Sequence, residues 1–326
     1  MHLPLPLRAL GSAPAAPIAP AAAPCRAVGE GASFASFGEI VQGQRSDGED
    51  FLITLPVDRW SRGRVSWEAI DGPSRVDAEL TKSRRVAEEL LRLLGLGSGL
   101  RLRVELAREM PIGKGLSSST ADMLAVVRAC QALFGVQLSD TCISRLFARI
   151  EPHDALHYPT SVAYNHRRGR LLARFDYTPD FQIVAVDAGG EVCTEAYNGS
   201  LDFCPGLRAE YDLLYRDAVS AFAARDDAAI ARCALRSTRL HVERTGNPFL
   251  RRLLALAGGL DVLGLVATHS GTCGGFLLSG HAPEDVLAGV EAAVAHQGAV
   301  FRTRTLSPSC TTAGRVRCSP TTPPGR

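Results

Sequence analysis

Apolar positions along this chain recur with two alternating periods, and each period predicts its own elements. Residues 33–42 form an extended run that ends near Gly43. Residues 51–57 and 64–70 are apolar or β-branched runs with turn residues between them, which predicts two separate strands. Residues 78–94 carry Leu80, Val86, Leu90, Leu91 and Leu94 at helical spacing and stop at Gly95. Residues 100–106 alternate Leu102, Val104 and Leu106 with Arg101, Arg103 and Glu105, the pattern of a half-buried strand. A glycine-rich turn follows, then a helix to about Phe134 closed by Gly135, then a helix over 139–150 with Ser139 or Asp140 as its cap. Further on, 181–187 reads as a strand and 207–257 as two or three helices. Strands at 262–268 and 276–279 flank a small-residue turn at 270–275, and a helix over 283–296 and a strand over 300–305 follow. Strands and helices mix throughout, so the class is α/β or α+β in two layers, with the halves meeting near 160–180.

The two ends break this pattern. The first 30 or so residues are rich in Ala and Pro and predict a disordered extension. A signal peptide fits them poorly, because prolines interrupt the apolar run and Arg8 is the sole early basic residue. Residues from about 307 are rich in Ser, Thr, Pro and Gly and predict a second tail.

Composition narrows the function classes. The 326 residues carry a net charge of +2, which gives no argument for nucleic acid or an acidic membrane surface. No apolar run is long enough to span a bilayer. The nine cysteines (Cys25, Cys130, Cys142, Cys193, Cys204, Cys233, Cys273, Cys310 and Cys318) include no Cys-x-x-Cys pair, which predicts reduced thiols and a cytoplasmic location.

Candidate chemistry centres on residues 111–122, Pro-Ile-Gly-Lys-Gly-Leu-Ser-Ser-Ser-Thr-Ala-Asp, which run straight into a helix start. Small residues let a backbone close around a ligand, and a helix N-terminus presents unpaired N–H groups to an anion. The turn is not a Walker loop, because Gly115-Leu116 follows Lys114 where that motif needs Ser or Thr. Another segment, His153-Asp-Ala-Leu-His157, has the histidine spacing of a zinc protease helix. Its acid is Asp rather than Glu, and Pro152 and Pro159 leave little room for a helix, so a substrate-side loop is preferred.

The 111–121 turn resembles the phosphate loop Pro-x-x-x-Gly-Leu-x-Ser-Ser-Ala of the GHMP kinases, the galactokinase, homoserine kinase, mevalonate kinase and phosphomevalonate kinase superfamily. Pro111, Gly115, Leu116, Ser118 and Ser119 occupy pattern positions, and Ser117 stands where Gly is commonest. Ser36-Phe-Gly-Glu-Ile-Val-Gln-Gly43 is similar to the first motif of the family, and His269-Ser-Gly-Thr-Cys-Gly-Gly275 to its third. Within the family, Glu151-Pro-His-Asp154 resembles the Glu-Pro-Thr-Asp of the L-threonine kinases of cobalamin synthesis and propanediol utilisation, with His153 in place of Thr. The form of the loop from Lys114 to Asp122 and Asn247-Pro248-Phe249 are similar to that branch as well. Phe37, Ser117 and His153 depart from it.

The resemblance implies an α+β, two-lobed fold. Its N-terminal ATP-binding lobe, like domain 2 of ribosomal protein S5, would span 31–170, and its ferredoxin-like C-terminal lobe 171–306, between an extension at 1–30 and a tail at 307–326. It implies ATP and Mg²⁺ as cofactors and a hydroxy amino acid as substrate, with no nucleic acid or membrane partner and a homodimer as a candidate assembly. Pro111, Gly113, Lys114, Gly115, Leu116, Ser117, Ser118, Ser119, Thr120, Gly271 and Gly274 would hold the nucleotide. Ser119 and Glu151 would hold the metal, Asp154 and Lys114 would be catalytic, and Glu39, Gln42 and Asp154 would face the acceptor. The implied activity is phosphorylation of the side-chain hydroxyl of L-threonine for cobalamin biosynthesis. Phosphorylation of homoserine or another hydroxy amino acid is the alternative within enzymes, and a catalytically silent nucleotide-binding regulator is the alternative outside them.

Overall fold

The computed structural model describes residues 7–8, 28–190 and 203–306. Most of the expected Ala/Pro extension, the tail from 307, and Cys25, Cys193, Cys310 and Cys318 lie outside the described residues. Within the extension, strand β1 (Leu7–Arg8) pairs antiparallel with β6 (Gln137–Leu138).

One ten-stranded sheet organises the rest of the described residues. Its strands are β2 (Val28–Gln44), β3 (Asp50–Pro73), β4 (Arg75–Asp77), β5 (Ser98–Arg108), β7 (Val162–Asn165), β8 (Arg170–Arg174), β9 (Phe181–Asp187), β10 (Gly264–Ala267), β11 (Cys273–Ser279) and β12 (Ala299–Arg304). The order is β12-β9-β11-β10-β2-β3-β5-β4, with β7 also on β3 and β8 on β7. Among these strands all pairs are antiparallel except β4 with β5. The sheet curls until its β12 end meets β3. Val57 and Thr305 form a bridge, Leu306 N donates to Pro56 O at 3.0 Å, and Arg59 Nη2 donates to Arg302 O at 2.7 Å.

Among the described residues, seven α-helices accompany this sheet: α1 (Thr81–Leu93), α2 (Ser118–Phe134), α3 (Asp140–Ala148), α4 (Pro205–Ala224), α5 (Asp227–Thr245), α6 (Pro248–Ala257) and α7 (Glu284–Val294). Helix α2 lies on β2 and β3, α5 on β10 and β2, and α7 on β9. Local chemistry sets the helix ends as expected. Ser139 Oγ accepts from Cys142 N at 3.2 Å, and Gly135 closes α2 with φ 65°.

The largest difference from expectation lies at 58–63, where a turn was predicted between two strands. Here β3 runs through without a break, because a bulge opposite Phe34 and Ala35 absorbs the bend. Gly63 pairs with Gly31, and both sit under α2. A Cβ on Gly31 would lie 2.4 Å from Ala129 N, and one on Gly63 would lie 3.0 Å from the carbonyl carbon of Ala125. These glycines serve helix-on-sheet contact rather than a turn. The short strands β7 and β8 had no readable periodicity, and β7 is recruited by pairing with Leu52 and Ile53.

Substitution at Gly31 tests this seating of α2. Gly31→Ala is expected to destabilise the chain by about 1–3 kcal/mol, the usual cost of overpacking. Equilibrium urea unfolding checks this, and a cost under about 0.5 kcal/mol, the level of an ordinary surface substitution, would contradict the contact.

Candidate active site

The loop at 109–117 connects β5 to α2, and its conformation is set by three left-handed residues. Gly113 and Gly115 have φ 73° and 75°, and Ser117 has φ 54°. The last value explains why glycine is commonest at this place in the resembling motif, since a side chain there costs strain. Ser117 is held by its hydroxyl, which contacts the Ser36 hydroxyl and hydrogen-bonds the Asp154 carboxylate. One residue therefore joins the first motif, the phosphate loop and the 151–154 segment.

Helix α2 starts at once after Ser117. Ala121 N donates to Ser117 O at 2.9 Å, so the N–H groups of Ser118, Ser119 and Thr120 precede the first intrahelical bond and suit an anion. Asp122 anchors the first turn by accepting from Ser61 Oγ at 2.6 Å and pairing with Arg108 at 3.1 Å.

The turn at 268–273 packs directly on the loop. A Cβ on Gly271 would lie 2.1 Å from Lys114 O, and one on Gly115 would lie 2.5 Å from Thr268 Cβ. Gly274 has a different neighbour: it pairs with Ala267 in the sheet, and its Cβ position falls 2.5 Å from Leu253 of α6. Lys114 is engaged at the loop's edge. Its ammonium lies 2.8 Å from Asp187 Oδ2 and 2.6 Å from Gly190 O, while Asp187 Oδ1 accepts from Thr272 Oγ1 at 2.5 Å. The lysine thus clamps the loop to the end of β9 and to the 268–273 turn. Pro111 and Leu116 wall an apolar cavity of about 240 Å³ together with Phe37, Val57, Met110 and Phe301.

Glu151 follows the end of α3, where its N–H donates to Phe147 O at 3.0 Å. Its carboxylate accepts from Ser119 Oγ at 2.8 Å through one oxygen and pairs with the Lys82 ammonium through the other. A hydroxyl and a carboxylate this close form an oxygen donor set that fits a hard divalent cation. Asp154 stands three residues on, its N–H directed at Thr120 Oγ1 at 3.4 Å. The segment between them is fixed by His153, whose Nε2 lies 2.7 Å from Tyr164 OH and whose N–H donates to His166 O at 3.2 Å.

Two carboxyls in this region ionise late. Burial pushes Asp154 up to about 7, with the neighbouring charge of Glu39 adding to it and the Ser117 hydroxyl opposing it. Burial pushes Glu39 up to about 8, against a hydrogen bond from the His269 backbone. The His269 side chain also reaches Glu39, with Nδ1 3.0 Å from Oε2. Burial holds that imidazole down at about 3, so it is neutral.

His153 and His157 do not make a metal site. His157 Nε2 faces Ser144 Oγ at 2.8 Å, and among the described residues no group of three His, Cys, Asp or Glu side chains is placed to hold an ion. Also among the described residues, no helix is long and apolar enough to cross a membrane. Sequence reasoning missed Lys82 and Asp187. Each lies far along the chain from its partner in the site and carries no local motif.

Residues 81–161 match the family model of the GHMP kinases N terminal domain. An L-threonine kinase of Citrobacter freundii is 25% identical over 252 residues, covering 75% of this chain and 84% of that protein. The fold is similar to homoserine kinase from Cytophaga hutchinsonii, with a TM-score of 0.63 at 14% identity over 88% of this chain and 96% of that one. It is equally similar to L. major mevalonate kinase in complex with R-mevalonate, with a TM-score of 0.63 at 15% identity over 86% of this chain and 95% of that one. Residues 81–161 thus match the N-terminal domain of the GHMP kinases, and the chain as a whole shares the α+β fold of solved kinases of that kind.

Proposed function

We propose that this kinase transfers the γ-phosphoryl group of ATP to the side-chain hydroxyl of an amino acid, with L-threonine as acceptor and O-phospho-L-threonine, a cobalamin precursor, as product. The observation that carries the reading is the meeting of Ser119 and Glu151, 2.8 Å apart, at the start of α2, with Asp154 on the same short segment. The motif at 151–154 and the L-threonine kinase relative support the choice of acceptor.

Phosphoryl transfer depends on positioning and on neutralising charge. In this reading the N–H groups at 118–120 and the α2 dipole hold the phosphates. Ser119 and Glu151 would hold Mg²⁺, which would supply charge neutralisation on the phosphates. Asp154 accepts the proton of the acceptor hydroxyl as the oxygen–phosphorus bond forms and the bond to ADP breaks. Lys114 acts by fixing the loop through Asp187.

An ADP-release assay across L-threonine, L-serine, L-homoserine and mevalonate tests the acceptor. Preference for L-threonine is expected, and equal use of homoserine would overturn that choice. Ser119→Ala is expected to lower kcat on the order of 100-fold, as loss of an aligned charge-stabilising group does. Activity near wild type would remove Ser119 from the metal site.

The raised Asp154 carboxyl gives a pH test. A base must be ionised, so kcat at saturating L-threonine is expected to rise with pH through about 7 and level off above it. Asp154→Asn is expected to flatten that rise and cost about 100-fold or more. An unchanged pH profile in this variant would show that the base lies elsewhere.

A further inference from the structure

The strand β2 carries a bulge whose consequence reaches the acceptor. Glu39 pairs with Thr54, Val41 with Ile53 and Gln42 with Leu52, so Ile40 is the extra residue. Side chains alternate along a regular strand, which would place residues 39 and 42 on opposite faces. The bulge resets that alternation. Glu39 and Gln42 therefore share one face with Thr54 and Leu52, and Leu52 on that face packs against Ala155 and Tyr158 of the chain just after Asp154.

Two neutral oxygens on this face lack the partner expected of buried groups. Gln42 is 9% exposed and Thr54 2%, and among the described residues Gln42 Oε1 and Thr54 Oγ1 have no hydrogen-bond partner. The buried Glu39 carboxyl stands beside them, and among the described residues its side-chain partner is the neutral imidazole of His269, at Oε2. The chain itself fixes this set from behind. Gln42 N donates to Ser237 Oγ at 3.3 Å, and Ser237 Oγ lies 3.5 Å from Nε2 of His269, the residue whose Nδ1 meets Glu39. Buried acceptors without donors are costly and uncommon, so a cluster of them beside a carboxyl calls for a donor-rich ligand.

We infer that Glu39, Gln42 and Thr54 form a pocket for a primary ammonium group, the α-ammonium of the acceptor. An ammonium offers three N–H donors and no acceptor, which matches two neutral oxygens and a carboxyl that gives up its proton as the cation binds. Its charge makes the carboxylate bond the dominant one. The pocket would select amino alcohols and hydroxy amino acids over neutral alcohols. It assigns the ammonium to Glu39 and leaves Asp154 for the hydroxyl. The inference rests on the reading of the acceptor as a hydroxy amino acid.

Calorimetric titration of the full chain with L-threonine, L-threoninol and 3-hydroxybutanoate tests the pocket apart from turnover. L-Threonine and L-threoninol, which carry the amine, are expected to bind, and 3-hydroxybutanoate, which lacks it, is not. Glu39→Gln is expected to weaken L-threonine on the order of 10- to 100-fold, as loss of a charge-assisted bond does, with ATP affinity unchanged. Gln42→Leu and Thr54→Val guard against a merely structural explanation. Removing an unpartnered buried oxygen is expected to raise the thermal midpoint while weakening L-threonine binding. A purely structural role predicts a lower midpoint. The inference is overturned if 3-hydroxybutanoate binds as well as L-threoninol, if neither amine binds, or if the variants leave L-threonine affinity unchanged. Failure of the acceptor reading appears separately, as binding of L-threonine without its phosphorylation in the ADP-release assay.

Discussion

The site depends on how closely two glycine-rich turns approach one another. Gly115 and Gly271 meet with no room for a Cβ on either side, so the phosphate loop cannot shift without moving the 268–273 turn. The Lys114–Asp187–Thr272 chain of polar contacts holds the same pair of turns at their rim. Because the loop is fixed, the start of α2 is fixed, and the N–H groups that suit an anion point from a rigid base. The 151–154 segment is then registered to that base by Ser119 and Thr120.

Burial gives the site its second character. Glu151 is paired with Lys82 and Ser119, whereas Glu39 and Asp154 have neutral hydrogen-bonding neighbours and each other's charge to contend with. The carboxyls of the site thus meet different partners, and that separation suits different tasks in one reaction. The neutral buried His269 matters here, because a charged imidazole would pull Glu39 back into the ordinary range.

Much of this was legible in the sequence. The helices came through clearly because their signals are local: Val86, Leu90 and Leu91 mark the buried face of α1, and Gly135 and Ser139 act at helix ends. The phosphate loop came through because its chemistry is contiguous in the chain. The turn expected at 58–63 failed because a glycine looks the same in a turn and under a helix, and only the position of α2 tells them apart. The bulge at Ile40 was hidden for a similar reason, since its register exists only in the pairing of β2 with β3. Lys82 and Asp187 were invisible as site residues, because an ion pair between distant segments leaves no local pattern.

The most direct test of the central claim is the product itself. Incubation of the full chain with ATP, Mg²⁺ and L-threonine, followed by proton-coupled ³¹P NMR, identifies the phosphorylated atom. A phosphate ester on the threonine side chain couples to a single carbon-bound proton and gives a doublet, which is the predicted result. Release of inorganic phosphate in step with ADP, with no ester resonance, would contradict it.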